Sequence, residues 1–453
     1  MGNTKKQLHL GVFLLNTGQH VGGWRHPETH ADRLLDLSFY QDFARLSERG
    51  LFDTILALEQ IAIGEQNGKV AEERSIPTPD TLTLLSVMAT VTEKIGLTAT
   101  LSTTYNDPYH VAARFATLDH LSGGRAGWNM VTSQDPRVAS QFSKDAHMDH
   151  ALRYQRANEF VDVAMKLWDS WEEDALIGKQ SSGQYLDPAK VHDIDHTGTY
   201  FSINGTSYIP RPIQGHPVLF QAGSSGSGLQ FAAQKAEVVF TAQDNLRDAL
   251  DYYANLKGML KSHGRRPEQL HILPGLAPIL GSTEHEAKER ETYFNELVLP
   301  DIAVKTLSGT IEVDLSSYPL DGPFPYWEIN PEANNNKKSR LQLLKDLGQR
   351  EQWTVRQMSR HVVSAGGHHT FAGTPERLAD LMEHWLDQGA CDGFNIMPSH
   401  YLRGLEEFVD HVIPILQKRG CYRTEYTGNT LRDHLGLTPP VNRWSALSTP
   451  SSK

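Results

Sequence analysis

The stretch Gln221-Ala222-Gly223-Ser224-Ser225-Gly226-Ser227-Gly228 holds the residue types best suited to grip a charged ligand. It follows the apolar run His216–Phe220, which reads as a buried strand, and precedes Leu229-Gln230-Phe231-Ala232-Ala233, which reads as a helix. A strand, a Gly/Ser turn and a helix start leave backbone N–H groups unpaired at the positive end of the helix dipole, which suits a phosphate. The glycines let backbone approach the ligand and the serines add donors. An ordinary βα loop is the competing reading, and the stretch alone leaves both open. It lacks the Gly-Lys-Ser/Thr of a Walker loop, and Ser227 stands where a nucleophile elbow would need its last glycine.

The elements around it set which other residues can reach it. Apolar runs Leu8–Leu14, Thr54–Leu58, Ile95–Leu101, Ala126–Val131, Val218–Gln221, Val238–Thr241, Leu270–Leu280 and Phe394–Met397 do not alternate with polar residues, as expected of strands buried on both faces. Between them the spacing predicts helices at Tyr40–Arg49, Thr81–Thr92, Tyr109–Leu121, Arg153–Trp171, Leu229–Gln234, Asn245–Ser262 and Pro375–Gln388, the last with Thr374 as N-cap and Pro375 at N1. Eight βα alternations predict a (β/α)8 TIM barrel; a doubly wound sheet would carry GxGxxG at its first turn, where this chain has Asn16-Thr17-Gly18-Gln19-His20. The expected organisation is one barrel domain over 1–437, with insertions at about 175–210 and 282–373 and a flexible Pro/Ser-rich tail over 438–453. The long second insertion, with Pro331–Lys338 as a mobile loop, is the expected lid.

A barrel builds its site from residues just past the C-terminal ends of its strands. That rule selects Glu59 and Gln60, Ser102 through Tyr105, Asn129, Thr132, Ser133, the Gly/Ser loop, and Pro398-Ser399-His400. The set is rich in hydroxyls and amides, with Glu59 its clearest carboxylate. A glycosidase needs two carboxylates about one bond, so sugar hydrolysis fits badly. A hydroxyl- and amide-lined cleft suits a polar planar ligand such as a flavin, which brings its own reactivity. His150 and Tyr154, four apart, share a helix face and can bond a ligand or serve packing. Gly366–Gly373, carrying His368, can close over a ligand or serve as a linker. His147/His150 and His192-Asp193-Ile194-Asp195-His196 match no zinc spacing, so no metal is assigned.

The chain has 453 residues, 39% hydrophobic and 21% charged, with 43 basic against 54 acidic side chains. That acidic balance without a basic run argues against nucleic acid as partner. Two cysteines, Cys391 and Cys421, make no CxxC, and a cytoplasmic location is expected. No signal peptide and no membrane-spanning apolar run is evident.

Taken together, long ordered landmarks resemble the flavin-dependent monooxygenases of the bacterial luciferase superfamily. The closer likeness is to the large components typified by nitrilotriacetate, EDTA and dibenzothiophene-sulfone monooxygenases. The landmarks are Gly22–Pro27, Ala99–Tyr105, Phe115–Arg125, Trp128–Ser133, Phe394–Pro398 and Tyr422–Tyr426, and the likeness runs from Leu8 to about Leu437. The resemblance implies a barrel that takes reduced FMN from a separate NAD(P)H-dependent flavin reductase and uses O2 to oxygenate a small organic substrate at C–N or C–S bonds. By matching position it implies flavin contacts from Thr104, Asn129, His150 and Tyr154, and a phosphate end held by Gln221, Ser224 and Ser225. Many relatives have Asp where this chain has Glu59, which shifts that carboxylate by about one C–C bond. Arg25 is a candidate partner for a substrate carboxylate, or a surface ion pair, with Trp24 as an apolar wall and His368 as a further substrate contact. An anionic aminopolycarboxylate-like or thioether substrate is the expectation, and no catalytic side chain is assigned. The likeness also implies a homo-oligomer, dimer or tetramer. The rivals are a deazaflavin-dependent hydride-transfer enzyme on the same barrel, a non-catalytic flavin-binding protein and a barrel hydrolase.

Overall fold

A computed structural model gives the fold, and it describes residues 5–15, 17–62, 65–66, 69–70, 76–133, 135–333 and 338–448. The principal strands are β1 (His9–Leu14), β2 (Thr54–Ala57), β3 (Gly96–Ser102), β4 (Ala126–Val131), β5 (Val218–Gln221), β6 (Val238–Thr241), β7 (His271–Leu280), β8 (His369–Gly373) and β9 (Gly393–Ile396). All pair in parallel. The order β6-β5-β4-β3-β2-β1-β9-β7 closes on itself because His271–Pro274 of β7 also pairs with β6. The result is the expected eight-stranded barrel, and each of the eight predicted strands lies within one residue of its observed bounds. β8 was not predicted. It pairs with the far half of β7, Leu276–Leu280, outside the ring.

The barrel strands are buried almost throughout, which is why their sequences show no alternation. Inside the ring, Thr54 and Thr98 share a hydrogen bond of 2.8 Å beside Gly11, and the layer above holds Phe13, Leu56, Ala277 and Met397. All seven predicted helices are present. Their starts are fixed by side-chain caps: Asp36, Asp80, Asp107, Asp149, Ser225, Asn245 and Thr374 each accept a hydrogen bond from the first turn.

The C-terminal stretch seals the end of the barrel where the strands begin. Asp53, fully buried ahead of β2, accepts from Leu10 N at 2.7 Å and pairs with Arg423 and His9. Arg432 grips Glu237 at 2.6 Å and donates twice to the His216 carbonyl at 3.0 Å. The landmark Tyr422–Tyr426 is thus part of a plug. The tail expected to be flexible from Thr438 onward is held over its first part. Asn442 is fully buried and donates to the carbonyls of Asp169 (3.1 Å) and Trp171 (2.8 Å), and residues Arg443–Ser448 form a helical turn. Residues 449–453, like 334–337 of the expected mobile loop and Asn16 of the first βα turn, lie outside the described residues.

The segment 175–210 holds two small antiparallel pairs, Leu176–Lys179 with Gln184–Leu186 and His196–Thr197 with Ser202–Ile203. The segment 282–373 is mostly helical: Glu284–Glu296, Pro300–Ile311, Lys338–Glu351 and Val355–Ala365, three of them around a small core of their own that includes Leu307, Leu344 and Met358. No helix among the described residues is long and apolar enough to cross a membrane.

Candidate active site

Two cavities meet at Ala222, past the C-terminal end of β5. The first, about 290 Å³, is walled by Glu59, Gln60, Thr100, Thr132, Ser133, Tyr154 and Gln221. The second, about 590 Å³, is bounded by Ser224, Thr241, Asp244 and His368, and by the 338–351 helix through Arg340, Leu343 and Arg350. Together they have the size of a small-molecule site. The 282–373 segment therefore supplies one wall of the cleft.

The barrel side offers acceptors that nothing among the described residues satisfies. Gln221 is 2% exposed and its Oε1 has no hydrogen-bond partner. Asn129 donates through Nδ2 to Thr100 Oγ1 at 3.0 Å, while its buried Oδ1 is also unpartnered. A buried amide oxygen without a donor costs about 1–3 kcal/mol, so the Gln221 oxygen in the wall of the first cavity marks a place for a ligand's donor, while Asn129 lines neither cavity and stands behind Thr100.

At Gly223 and Gly228 the turn after β5 has no room for a side chain. A Cβ on Gly223 would collide with the Gln221 amide nitrogen and lie 2.8 Å from Tyr154 Oη; one on Gly228 would lie 3.0 Å from the same oxygen. Ser225 is the N-cap of the helix Gly226–Lys235, its Oγ accepting from Gly228 N at 3.2 Å. Ser224 Oγ lies 3.2 Å from Thr241 Oγ1 at the edge of the second cavity. The two adjacent serines are thus divided between holding the helix start and facing the cleft.

Burial pushes the Glu59 carboxyl up to about 7, although Ser102 N donates to its Oε2 at 2.8 Å and draws it down. Burial raises Tyr154 as well, against hydrogen bonds from Ser225 and Thr132, so its phenol is a neutral donor at pH 7. Its ring stands edge-on to His150 at 5.1 Å, and burial, then Arg153, holds that imidazole below its ordinary value.

Not every expected contact reaches the cleft. The Thr104 hydroxyl donates to the Thr132 carbonyl at 2.7 Å, so Thr104 stands behind a cavity-lining residue and lines neither cavity. Arg25, the candidate partner for a substrate carboxylate, instead donates to the Leu297 carbonyl, and Trp24 lies beside it in the exposed turn Gly23–Arg25. His368 is brought to the second cavity, stacked on Phe240 at 4.9 Å. The histidines weighed as metal ligands are dispersed: His192 faces Glu172 at 2.8 Å, His196 faces Glu159 at 3.2 Å, and His147 meets Tyr105 at 2.6 Å. Arg340 was missed altogether. It lies four before Leu344 and seven before Leu347, both buried in the segment's own core, so its helix face could be read, but nothing in the sequence marks it as left without an oxygen partner.

The family model described as luciferase-like monooxygenase matches residues 9–391. The chain belongs to the luciferase-like monooxygenase family. It is 47% identical over 446 residues to N-acetyl-S-(2-succino)cysteine monooxygenase of Bacillus subtilis (strain 168), covering 98% of this chain and 100% of that one. It is 44% identical to nitrilotriacetate monooxygenase component A of Aminobacter aminovorans, covering 96% and 98%. The crystal structure of DmoA from Hyphomicrobium sulfonivorans superposes with a TM-score of 0.86 at 30% identity, over 95% of this chain and 92% of that one. The protein is a monooxygenase of the two-component, flavin-dependent type. That disfavours both the hydride-transfer rival and the non-catalytic one.

Proposed function

We propose that this luciferase-like monooxygenase uses reduced FMN delivered by a separate NAD(P)H:flavin reductase, together with O2, to oxygenate a small anionic substrate at a C–N or C–S bond. The observation that carries FMN is the unsatisfied buried amide oxygen Gln221 Oε1 in the cavity wall, beside a turn whose Gly223 and Gly228 have no room for a side chain; the unsatisfied Asn129 Oδ1 lies in the strand behind Thr100. A ring bearing N–H groups and a phosphate would satisfy the cavity-wall oxygen and the turn. Reduced flavin, when bound, supplies the electrons and the site of oxygen activation. The protein's part is to hold and to exclude. Tyr154 Oη, Ser224 and the N–H groups before Gly228 hold the phosphate end, and Asn129, Gln221 and Glu59 hold the ring. The wall built from the 282–373 segment keeps water from the reacting centre. His150 supports the Tyr154 ring, and Thr104 acts through the Thr132 carbonyl. Residues 1–437 work as one catalytic unit.

The substrate class follows from this chain's likeness to enzymes named for a succinylated cysteine and for nitrilotriacetate. The test is an anaerobic titration with FMNH2 and with FMN. Reductase-coupled turnover under 18O2 then follows, with N-acetyl-S-(2-succino)cysteine, nitrilotriacetate and dibenzothiophene sulfone. Tight FMNH2 binding, weaker FMN binding and label in one product bear the proposal out. Failure to bind either flavin refutes it. Light scattering is expected to give a dimer or tetramer.

A further inference from the structure

Five buried or half-buried arginines among the described residues have oxygen partners, and Arg340 does not. Arg125 donates to Ser122 O, Thr92 Oγ1 and Ile95 O, and Arg265 caps the carbonyls of Ala233 and Ala236. Arg211, Arg423 and Arg432 pair with Asp169, Asp53 and Glu237. Among the described residues, Arg340, on the wall of the larger cavity, hydrogen-bonds only to His368: its Nη2 lies 3.3 Å from His368 Nε2, and its buried Nη1 has no partner. Among the described residues no carboxylate lies within ion-pair distance of it. Of the acids that share its cavity, Asp244 and Asp248 are held by Arg350 at 2.7 Å and 3.4 Å, and Asp346 accepts from Gln342 Nε2 at 2.7 Å.

The surroundings add to the imbalance. Arg340 stands in the first turn of the helix Lys338–Glu351, which has no acidic residue there, so the helix dipole opposes its charge. His368 is held well below its ordinary value by burial and then by Arg340, so it stays neutral and accepts from the guanidinium. The fold makes room for the arrangement. Gly367 adopts φ +87°, and a Cβ on it would lie 2.8 Å from Arg340 Nη1. An uncompensated buried cation is strongly unfavourable, and a protein retains one where an anion arrives to complete it.

We infer that Arg340, backed by His368, holds an oxyanion in the larger cavity, which it shares with Ser224, and that this oxyanion is a carboxylate of the substrate. The flavin phosphate is the other possible source of the same chemistry. The cradle after β5 already provides the phosphate with N–H and hydroxyl donors, which leaves Arg340 for the second ligand. The inference rests on the proposed function for which ligand is the substrate, but not for the binding of the anion.

The test compares the wild type with Arg340→Gln and Arg340→Lys. Equilibrium dialysis with radiolabelled succinate is run on flavin-free protein and again with FMNH2 bound anaerobically, with succinamide as the uncharged competitor; FMNH2 affinity is measured separately. The expected result is saturable succinate binding that succinamide does not displace. Arg340→Gln weakens it at least about tenfold and Arg340→Lys restores part of it, with FMNH2 affinity unchanged within about twofold. Thermal unfolding adds a readout that a merely structural role would not give: Arg340→Gln melts at or above the wild type, because it removes an unpaired buried charge. Absence of succinate binding to the wild type overturns the inference, as does equal binding by Arg340→Gln. A selective loss of FMNH2 affinity in Arg340→Gln assigns the guanidinium to the phosphate and overturns it too. A wild type that binds succinate but no flavin refutes the proposed function while leaving the anion subsite standing.

Discussion

Replacing Glu59 with Gln isolates the one acid in the cleft whose environment sets it apart. Burial raises that carboxyl from 4.5 to about 7. The native state therefore keeps a proton that the unfolded chain releases, and stability falls as pH rises from about 4.5 to about 7, then levels off. A shift of about 2.5 pH units at about 1.4 kcal/mol each makes the whole effect about 3 kcal/mol. Glu59→Gln keeps an oxygen to accept from Ser102 N, now 2.8 Å from Glu59 Oε2, so the hydrogen bond survives while the titration disappears. At about 2 cal/mol/K of unfolding entropy per residue, a chain of 453 residues loses about 1 °C of Tm per kcal/mol. Thermal melts of both proteins from pH 4.5 to 8.5 should show the variant gaining about 3 °C on the wild type, nearly all of it below pH 7.5. Other titrating groups cancel in the difference. If the two curves run parallel across that range, the carboxyl is solvated and ordinary, and its assignment as a buried ring-facing group is wrong.

Gly223→Ala places a methyl against the Gln221 amide and Tyr154 Oη; FMNH2 affinity should fall about tenfold in an anaerobic titration with Tm nearly unchanged. Asp53→Asn removes the charge that Arg423 and His9 share at the sealed end of the barrel. Burial alone would raise that carboxyl, but Arg423, His9 and Leu10 N outweigh it and hold it low. Breaking the pair should lower stability by about 3–5 kcal/mol in urea unfolding, with flavin affinity of the surviving native protein unchanged because the plug lies opposite the cleft. Asn442→Ala strands the carbonyls of Asp169 and Trp171, so limited proteolysis should cut the chain beyond Thr438 far faster at a stability loss of about 2 kcal/mol.

The barrel was legible because its strands are short apolar runs and its helices begin at Asp, Asn, Ser or Thr caps, both local signals. The same locality explains the misses. β8 carries His369, Thr370 and Gly373, and it becomes a strand only because β7 runs on past the ring to offer an edge. The helices of the 282–373 segment bury Leu307, Leu344 and Met358 against one another, a pairing of residues far apart in sequence that no single run declares. The tail looked free because Pro and Ser dominate it, yet one buried amide, Asn442, ties it down.

The site divides along the same line. The strand-end rule selected Glu59 and Gln221, which line the first cavity, because a parallel barrel brings its strand ends to one face whatever else the chain does; Asn129, which it also selected, lies within β4 and lines neither cavity. The rule could not find Arg340, whose meaning lies in what is missing around it: an arginine in a helix reads as a solvated face until the structure shows that no oxygen answers it. Arg25 failed in the opposite sense. In sequence it looked available, and in the fold it lines neither cavity, with one N–H given to the Leu297 carbonyl. A charged residue is therefore a credible ligand only when the folded chain leaves it unsatisfied. By that criterion the unsatisfied cation of this cleft, Arg340, stands on the inserted helices, while the unsatisfied acceptor Gln221 stands on the barrel, and on the proposed function the first serves the substrate and the second the flavin. Substitutions in the first should change which anion is taken and leave flavin affinity alone, and substitutions in the second should do the reverse.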